Sequence, residues 1–104
     1  MEHGKSFHAP FLSLRYYFLP TQTGLKEAAL ACISVSVPKK VSLKATYRNK
    51  LRRKLYPIVR LYKDRLPYGS ASIVFVKKDI AELDREKLQH EVKYILEKAF
   101  NIVL

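Results

Sequence analysis

The hydrophobic patterning of this chain predicts an α/β (α+β) two-layer sandwich, with helices packed on one small sheet in the order strand, strand, helix, strand, helix. Three observations carry that expectation. Apolar residues alternate with period two in two stretches before residue 38, and from Ala45 they recur at helical spacing instead. A short β-branched run at Ala71–Val76 then separates that helical stretch from a second one.

The first strand is predicted over Phe11–Leu19. Leu12, Leu14, Tyr16 and Phe18 fall on one face, and Phe11, Ser13, Arg15 and Tyr17 on the other. Tyr16 and Phe18 read as core; Phe11 and Tyr17 are as well suited to stacking on a base as to packing. Pro20–Lys26, with its Thr-Gln-Thr-Gly sequence, predicts a turn. A second strand over about Ala29–Val37 puts Ala31, Ile33, Val35 and Val37 on one face, with Cys32, Ser34 and Ser36 opposite. Pro38, lacking an N–H, ends it or sits at its edge. Within so apolar a run, Cys32 reads as a small buried hydrophobe. It is the only cysteine, so an internal disulfide is impossible.

In the helical stretch, Leu51, Leu55, Ile58, Val59, Tyr62 and Leu66 form an apolar stripe. Pro57 interrupts it by removing a backbone donor and crowding the Arg53 carbonyl, which predicts a kink near Arg53–Pro57 or two helical pieces. Pro67-Tyr68-Gly69-Ser70 closes the segment as a turn. Ala71–Val76 has the composition of a central strand buried on both faces. Asp84 is placed to cap a last helix whose stripe is Leu88, Val92, Ile95, Leu96 and Ala99. With 104 residues and no repeat, low-complexity tract or linker, residues 1–104 are expected to form one domain.

The charge is concentrated rather than spread. Of the formal net charge of +11, the segment Lys39–Arg65 supplies +10, with eleven basic residues against the single acid Asp64. A helix merely kept soluble mixes its signs, as Asp84–Lys98 does. Ten uncompensated positive charges beside an apolar stripe favour a polyanionic partner. On a helix, Arg48 and Arg52 share a face, as do Asn49 and Arg53. Their guanidinium groups can bond successive phosphates bidentately, and Asn49 can donate and accept at a ribose or base edge. Lys39, Lys40 and Lys44 precede the helix start, where free backbone N–H groups also favour an anion.

Catalysis by the protein itself is not expected. His3, His8 and His90 are scattered, and no nucleophile and base stand at a productive spacing. Helix entry and solubility explain Asp79, Glu82 and Asp84 more simply than a cation does. No run approaches the length of a membrane span, and Met1–Phe11 lacks the apolar core of a signal peptide, so a soluble cytoplasmic protein is expected.

At the basic segment the text reads Lys39-Lys40-Val41-Ser42-Leu43-Lys44-Ala45-Thr46-Tyr47-Arg48-Asn49-Lys50-Leu51-Arg52-Arg53. This resembles the protein component of bacterial ribonuclease P, whose hallmark is Lys-Lys, a short spacer, then Ala-x-x-Arg-Asn-Arg-x-Lys-Arg. Arg48, Asn49 and Arg53 are identical to it, while Lys50 and Arg52 exchange one basic residue for another. Gly4-Lys5-Ser6, Ile33–Ser36, and Ser72–Lys78 with its following helix also resemble the family, so the similarity spans nearly the whole chain.

The resemblance implies a fold of the ribosomal protein S5 domain 2 type, a small mixed sheet with a left-handed crossover at the basic helix. It implies an RNA-binding subunit that assists a catalytic RNA in removing the 5′ leader of precursor tRNA. Lys39, Lys40, Lys44, Arg48, Asn49, Lys50, Arg52 and Arg53 would then meet RNA, and Phe11, Arg15, Tyr17, Ser34 and Ser36 would be candidates for the leader. Magnesium would be required by the RNA, with no metal site on the protein alone; the partners would be the ribonuclease P RNA and precursor tRNA, not DNA or membrane, with one copy per holoenzyme. The family normally begins with a basic, Phe-containing helix before the Gly4 position, so one wall of the leader cleft is expected to be missing from this sequence. Tyr56 and Pro57 stand where the family's helix is usually charged. The alternative reading is a ribosomal or other structural RNA-binding protein; the ordered basic motif argues against it.

Overall fold

A computed structural model describes residues 5–18, 31–67 and 69–104. Four strands, β1 (Lys5–His8), β2 (Leu12–Phe18), β3 (Cys32–Ser36) and β4 (Ser70–Val76), form one sheet in the order β1-β2-β4-β3. The first three pairings in sequence differ in sense: β1 with β2 and β2 with β4 are antiparallel, β3 with β4 is parallel. A parallel neighbour needs a long crossover, and helix α1 (Ala45–Arg60) supplies it between β3 and β4. Helix α2 (Arg85–Phe100) follows β4.

The period-two pattern decides which sheet face is covered. Leu12, Leu14 and Tyr16 of β2, Ile33 and Val35 of β3, and Val74 and Val76 of β4 are all buried. They join the buried stripe of α1 (Leu51, Leu55, Ile58, Val59) and that of α2 (Leu88, Val92, Ile95, Leu96, Ala99) in one core. The second stripe is the one read from the sequence, and Asp84 caps α2 as expected, its Oδ1 accepting from the Lys87 N–H at 2.8 Å. Phe100 completes the packing with its ring centroid 4.4 Å from that of Tyr16.

Several expectations change. Strand β1 carries no clear alternation and was not predicted; its pairing with β2 makes it a strand. Pro57 lies inside α1, one turn from its end, and the helix continues through it from Ala45 to Arg60 as a single element, which rules out the alternative of two helical pieces. The missing hydrogen bond is tolerated because Ile58 and Val59, the two residues that follow Pro57, are buried in the core and hold the last turn in place. Tyr62 and Leu66 are buried as predicted, but beyond the helix, flanking a short 3-10 turn at Lys63–Arg65. Strand β4 is central, yet it alternates between buried and half-buried residues, because the helices of the described residues cover only one face of the sheet. Cys32 is exposed, not buried, for the same reason: with Ser34 it points to the open face. Phe18 keeps the side of the sheet its parity gives it, but it is 57% exposed at the strand's end, edge-on to Tyr16 and Phe100. The predicted turn at Pro20–Lys26, the beginning of the second predicted strand, Gly4 and Tyr68 lie outside the described residues.

Gly69 has φ +80°, a conformation open to glycine and strained for other residues, and a Cβ there would meet nothing within 4 Å. Its requirement is therefore conformational. Gly69→Ala is expected to lower stability by about 1 kcal/mol, read as a lower urea midpoint with an unchanged slope. An unshifted midpoint would contradict that turn geometry.

Candidate nucleic-acid interface

The open sheet face presents polar and aromatic side chains in cross-strand rows. Strand register places Ser6, Arg15, Ile73 and Ser34 in one row, and His8, Ser13, Phe75 and Ser36 in the next. Tyr17, Ala71 and Cys32 form a third. Strands lie about 4.8 Å apart, so Arg15 and Ser34 are separated by roughly 10 Å across the Ile73 position. A groove of about 260 Å³ on this face includes Ser6, Ser13, Arg15, Lys40, Phe75 and Lys77 among its lining residues. It joins Lys40 of the Lys-Lys pair to Arg15 of β2. The Lys77 ammonium is held there by the Ala9 carbonyl at 3.1 Å.

The Lys-Lys pair sits in a turn closed by the Val41 N–H bonding to the Pro38 carbonyl at 3.0 Å. Lys39, Lys40 and Lys44 are exposed. The start of α1 has no side-chain cap and no acid in its first turn. Arg48 is half-buried, donating from Nη1 to the Ser42 carbonyl at 3.0 Å, which ties the loop to the helix. Arg52 donates from Nη2 to Asn49 Oδ1, fixing the amide's orientation and leaving its NH2 group free to donate outward. Lys50, Arg52 and Arg53 are exposed. A second groove, about 490 Å³, runs between α1 and β3 and is lined by Ser34, Val35, Arg52, Arg53, Tyr56 and Pro57. The Arg60 guanidinium stands 5.7 Å from the Tyr56 ring centroid, a cation–π contact on the edge of the same groove.

Most of the predicted residues thus gather in two adjoining sets, with Ser34 in the open-face row of Arg15 and also in the α1–β3 groove. Tyr17 and Ser36 are on the open face as well. Lys50 is not with them: its charge acts on the Asp79 carboxylate, on the other flank of α1. Phe11 is not with them either. It lies just before β2, its N–H bonded to Glu91 Oε2 at 2.7 Å, and lines a separate groove with Leu83, His90 and Tyr94 beside α2. Lys77 was not singled out from the sequence, and Tyr56 only as a departure from the family's charged helix. Tyr56 continues the Arg48–Arg52 row by one turn, a spacing visible in the text, whereas Lys77 reaches the groove only through long-range strand register.

On the opposite flank of α1, the Tyr47 hydroxyl donates to Asp79 Oδ2, and Asp79 Oδ1 accepts from the Ala81 N–H at 2.8 Å. The Tyr47 hydrogen bond, then the Ala81 one, hold the Asp79 carboxyl below its ordinary pKa, and the bond to Asp79 raises that of the Tyr47 phenol. The contact is therefore made in its phenol–carboxylate form throughout the neutral range. Its stabilisation is present above the ordinary aspartate pKa and is lost as pH falls through the lowered one. Among the described residues, no group of three His, Cys, Asp or Glu could hold a metal ion. Among them too, no helix is long and apolar enough to cross a membrane.

Comparison with known proteins gives a consistent result. The model of the ribonuclease P family, described as "Ribonuclease P", matches residues 1–100. The chain is 29% identical to the ribonuclease P protein component of Cyanothece sp., over 94% of this chain and 82% of that one. It is also 29% identical to that of Microcystis aeruginosa, over 96% and 80%. Among solved structures, the Thermotoga maritima RNase P protein in complex with 1-(4-fluorophenyl)-2-thiourea superposes with a TM-score of 0.70 at 25% identity, covering 91% of this chain and 85% of that one. The Staphylococcus aureus RNase P protein gives a TM-score of 0.69 at 21% identity, over 94% and 84%.

Proposed function

Because this chain belongs to the ribonuclease P protein family, we propose that it acts with ribonuclease P RNA by laying the basic flank of α1 and the Lys39–Lys44 loop along that RNA. The single observation that carries this reading is the gathering of Arg48, Asn49, Arg52 and Arg53 on one flank of a helix whose sequence holds no acid. The open sheet face, with Arg15, Tyr17 and Ser34, takes the unpaired 5′ leader of precursor tRNA: Arg15 at a phosphate or base plane, Tyr17 as a stacking ring. Chemistry stays with the RNA. Magnesium is required there, and no protein side chain is assigned a metal or a bond-breaking role. The protein works in the cytoplasm as one copy per holoenzyme.

Reconstitution tests this reading. Added to the ribonuclease P RNA of Cyanothece sp. at low magnesium, the protein is expected to stimulate release of the leader from precursor tRNA. Arg15→Ala with Tyr17→Ala should weaken binding of precursor tRNA by the holoenzyme about tenfold and leave mature tRNA unaffected. Equal loss on both tRNAs would remove the leader assignment. A protein that fractionates with ribosomes and gives no stimulation would instead favour a structural RNA-binding role.

A further inference from the structure

The helix that carries the basic residues is least secured where it matters most. Its first buried side chain is Leu51, so the turn bearing Arg48 and Asn49 has no apolar residue sunk in the core. That turn begins without a side-chain cap, and Lys44 and Arg48 crowd the positive end of the helix dipole. Tyr47 is the side chain of this turn that packs partly against the core. Its hydroxyl reaches Asp79 in the connection between β4 and α2, Asp79 holds the Ala81 N–H, and the Ala81 carbonyl accepts from Lys54 Nζ at 2.8 Å. Two points of α1, seven residues and about two turns apart, are thus tied through one short stretch of backbone. Tyr47 and Lys54 lie on the flank away from the groove that Arg52 and Arg53 line with β3.

A helix resting on a single apolar stripe is free to roll by small angles about its axis, and a roll moves the tips of long arginines by more than it moves the stripe. Hydrogen bonds on one flank remove that freedom. We propose that Asp79 and Tyr47 are positioning residues for RNA binding: their bond fixes the roll and the first turn of α1, and so presents Arg48, Asn49 and Arg52 in register with the RNA backbone. Asp79 also brings to the helix a carboxylate that its own sequence does not supply.

The inference rests on the RNA-binding reading above and makes a prediction opposite in sign to simple electrostatics. Asp79→Asn makes the protein more basic by one charge, which by itself would tighten RNA binding. The positioning role requires weaker binding. With ribonuclease P RNA of Cyanothece sp. as the probe, and protein concentrations set by stoichiometric titration so that unfolded molecules do not count, Asp79→Asn is expected to raise Kd about fivefold. Tyr47→Phe, which keeps the ring and the charge, should raise it by a similar factor, and the double variant by little more. In an Arg48→Ala, Arg52→Ala background the Asp79→Asn effect should shrink to a small remainder carried by Asn49, a coupling that general destabilisation would not produce. Binding by Asp79→Asn that is unchanged or tighter overturns the proposal, as does an undiminished effect in the Arg48→Ala, Arg52→Ala background. If Arg48→Ala with Arg52→Ala itself leaves binding unchanged, the RNA-contact reading falls, and the positioning role with it.

Discussion

Replacing Arg48, Arg52 and Arg53 together by alanine is expected to weaken binding of ribonuclease P RNA about a hundredfold near 100 mM monovalent salt, with a salt slope shallower by roughly two to three. The magnitude follows from counterion release. Each phosphate neutralised contributes a slope of about 0.9 on a helical nucleic acid, or up to roughly eightfold in affinity at that salt concentration. Three full contacts would give several hundredfold. Arg48 gives somewhat less, because its guanidinium already donates to the Ser42 carbonyl and is half-buried. The measurement is Kd at several salt concentrations for the wild type and the triple variant. Parallel lines of unchanged slope would mean that these arginines do not meet phosphates, whatever the size of the affinity change.

The same variant should fold about as well as the wild type, the lost Arg48 bond to the Ser42 carbonyl being offset by relieved repulsion. These side chains contribute little to the core, and removing three like charges from a chain of net charge +11 relieves repulsion. Binding and stability are therefore expected to separate along a single helix, and the pattern behind that expectation is local in the sequence. Arg48, Asn49, Arg52 and Arg53 recur at helical spacing, and their neighbours Leu51, Leu55, Ile58 and Val59 fix which flank they occupy. Local periodicity was enough. The α2 stripe and its Asp84 cap were legible for the same reason.

What could not be read depends on residues far apart in the chain. The parity of Cys32, Ser34 and Ser36 was visible, but that no helix of the described residues lies over their face is a fact about layers, and it reverses the expectation for Cys32. Strand β1 exists because β2 offers an edge to pair with, not because Lys5–His8 has a strand's composition. Phe11 follows the alternation of β2 on paper, yet one residue outside the strand its backbone turns to bond Glu91, some eighty positions away. Asp79 looked like surface solubility until the fold brought Tyr47 to it. Each of these is a long-range contact without a local signature, and three of them bear on the site. Pro57 illustrates the converse: a strong local signal for interruption is overridden where burial of Ile58 and Val59 holds the last turn in place.

Leu55→Ala is the complementary expected result. Leu55 is 0% exposed, in the middle of the α1 stripe and in the same core as Val35 and Val74. Truncating a leucine so enclosed removes its transfer free energy and leaves a cavity, a loss of about 2–5 kcal/mol against a total of about 5–15 for a domain of this kind. Urea denaturation should show the midpoint falling with little change in slope. Saturating RNA should recover part of the loss by binding only the folded form. The folded fraction should keep nearly the wild-type Kd, since the basic side chains are unaltered and the Tyr47 contact to Asp79 lies outside the cavity. Taken with the arginine variant, this gives two faces of one helix with opposite consequences: the outward flank changes affinity without changing stability, and the inward stripe changes stability without changing affinity. A Leu55→Ala protein that loses less than about 1 kcal/mol would mean that α1 is not seated on the sheet through this stripe. The basic flank would then have no fixed orientation from which to meet RNA.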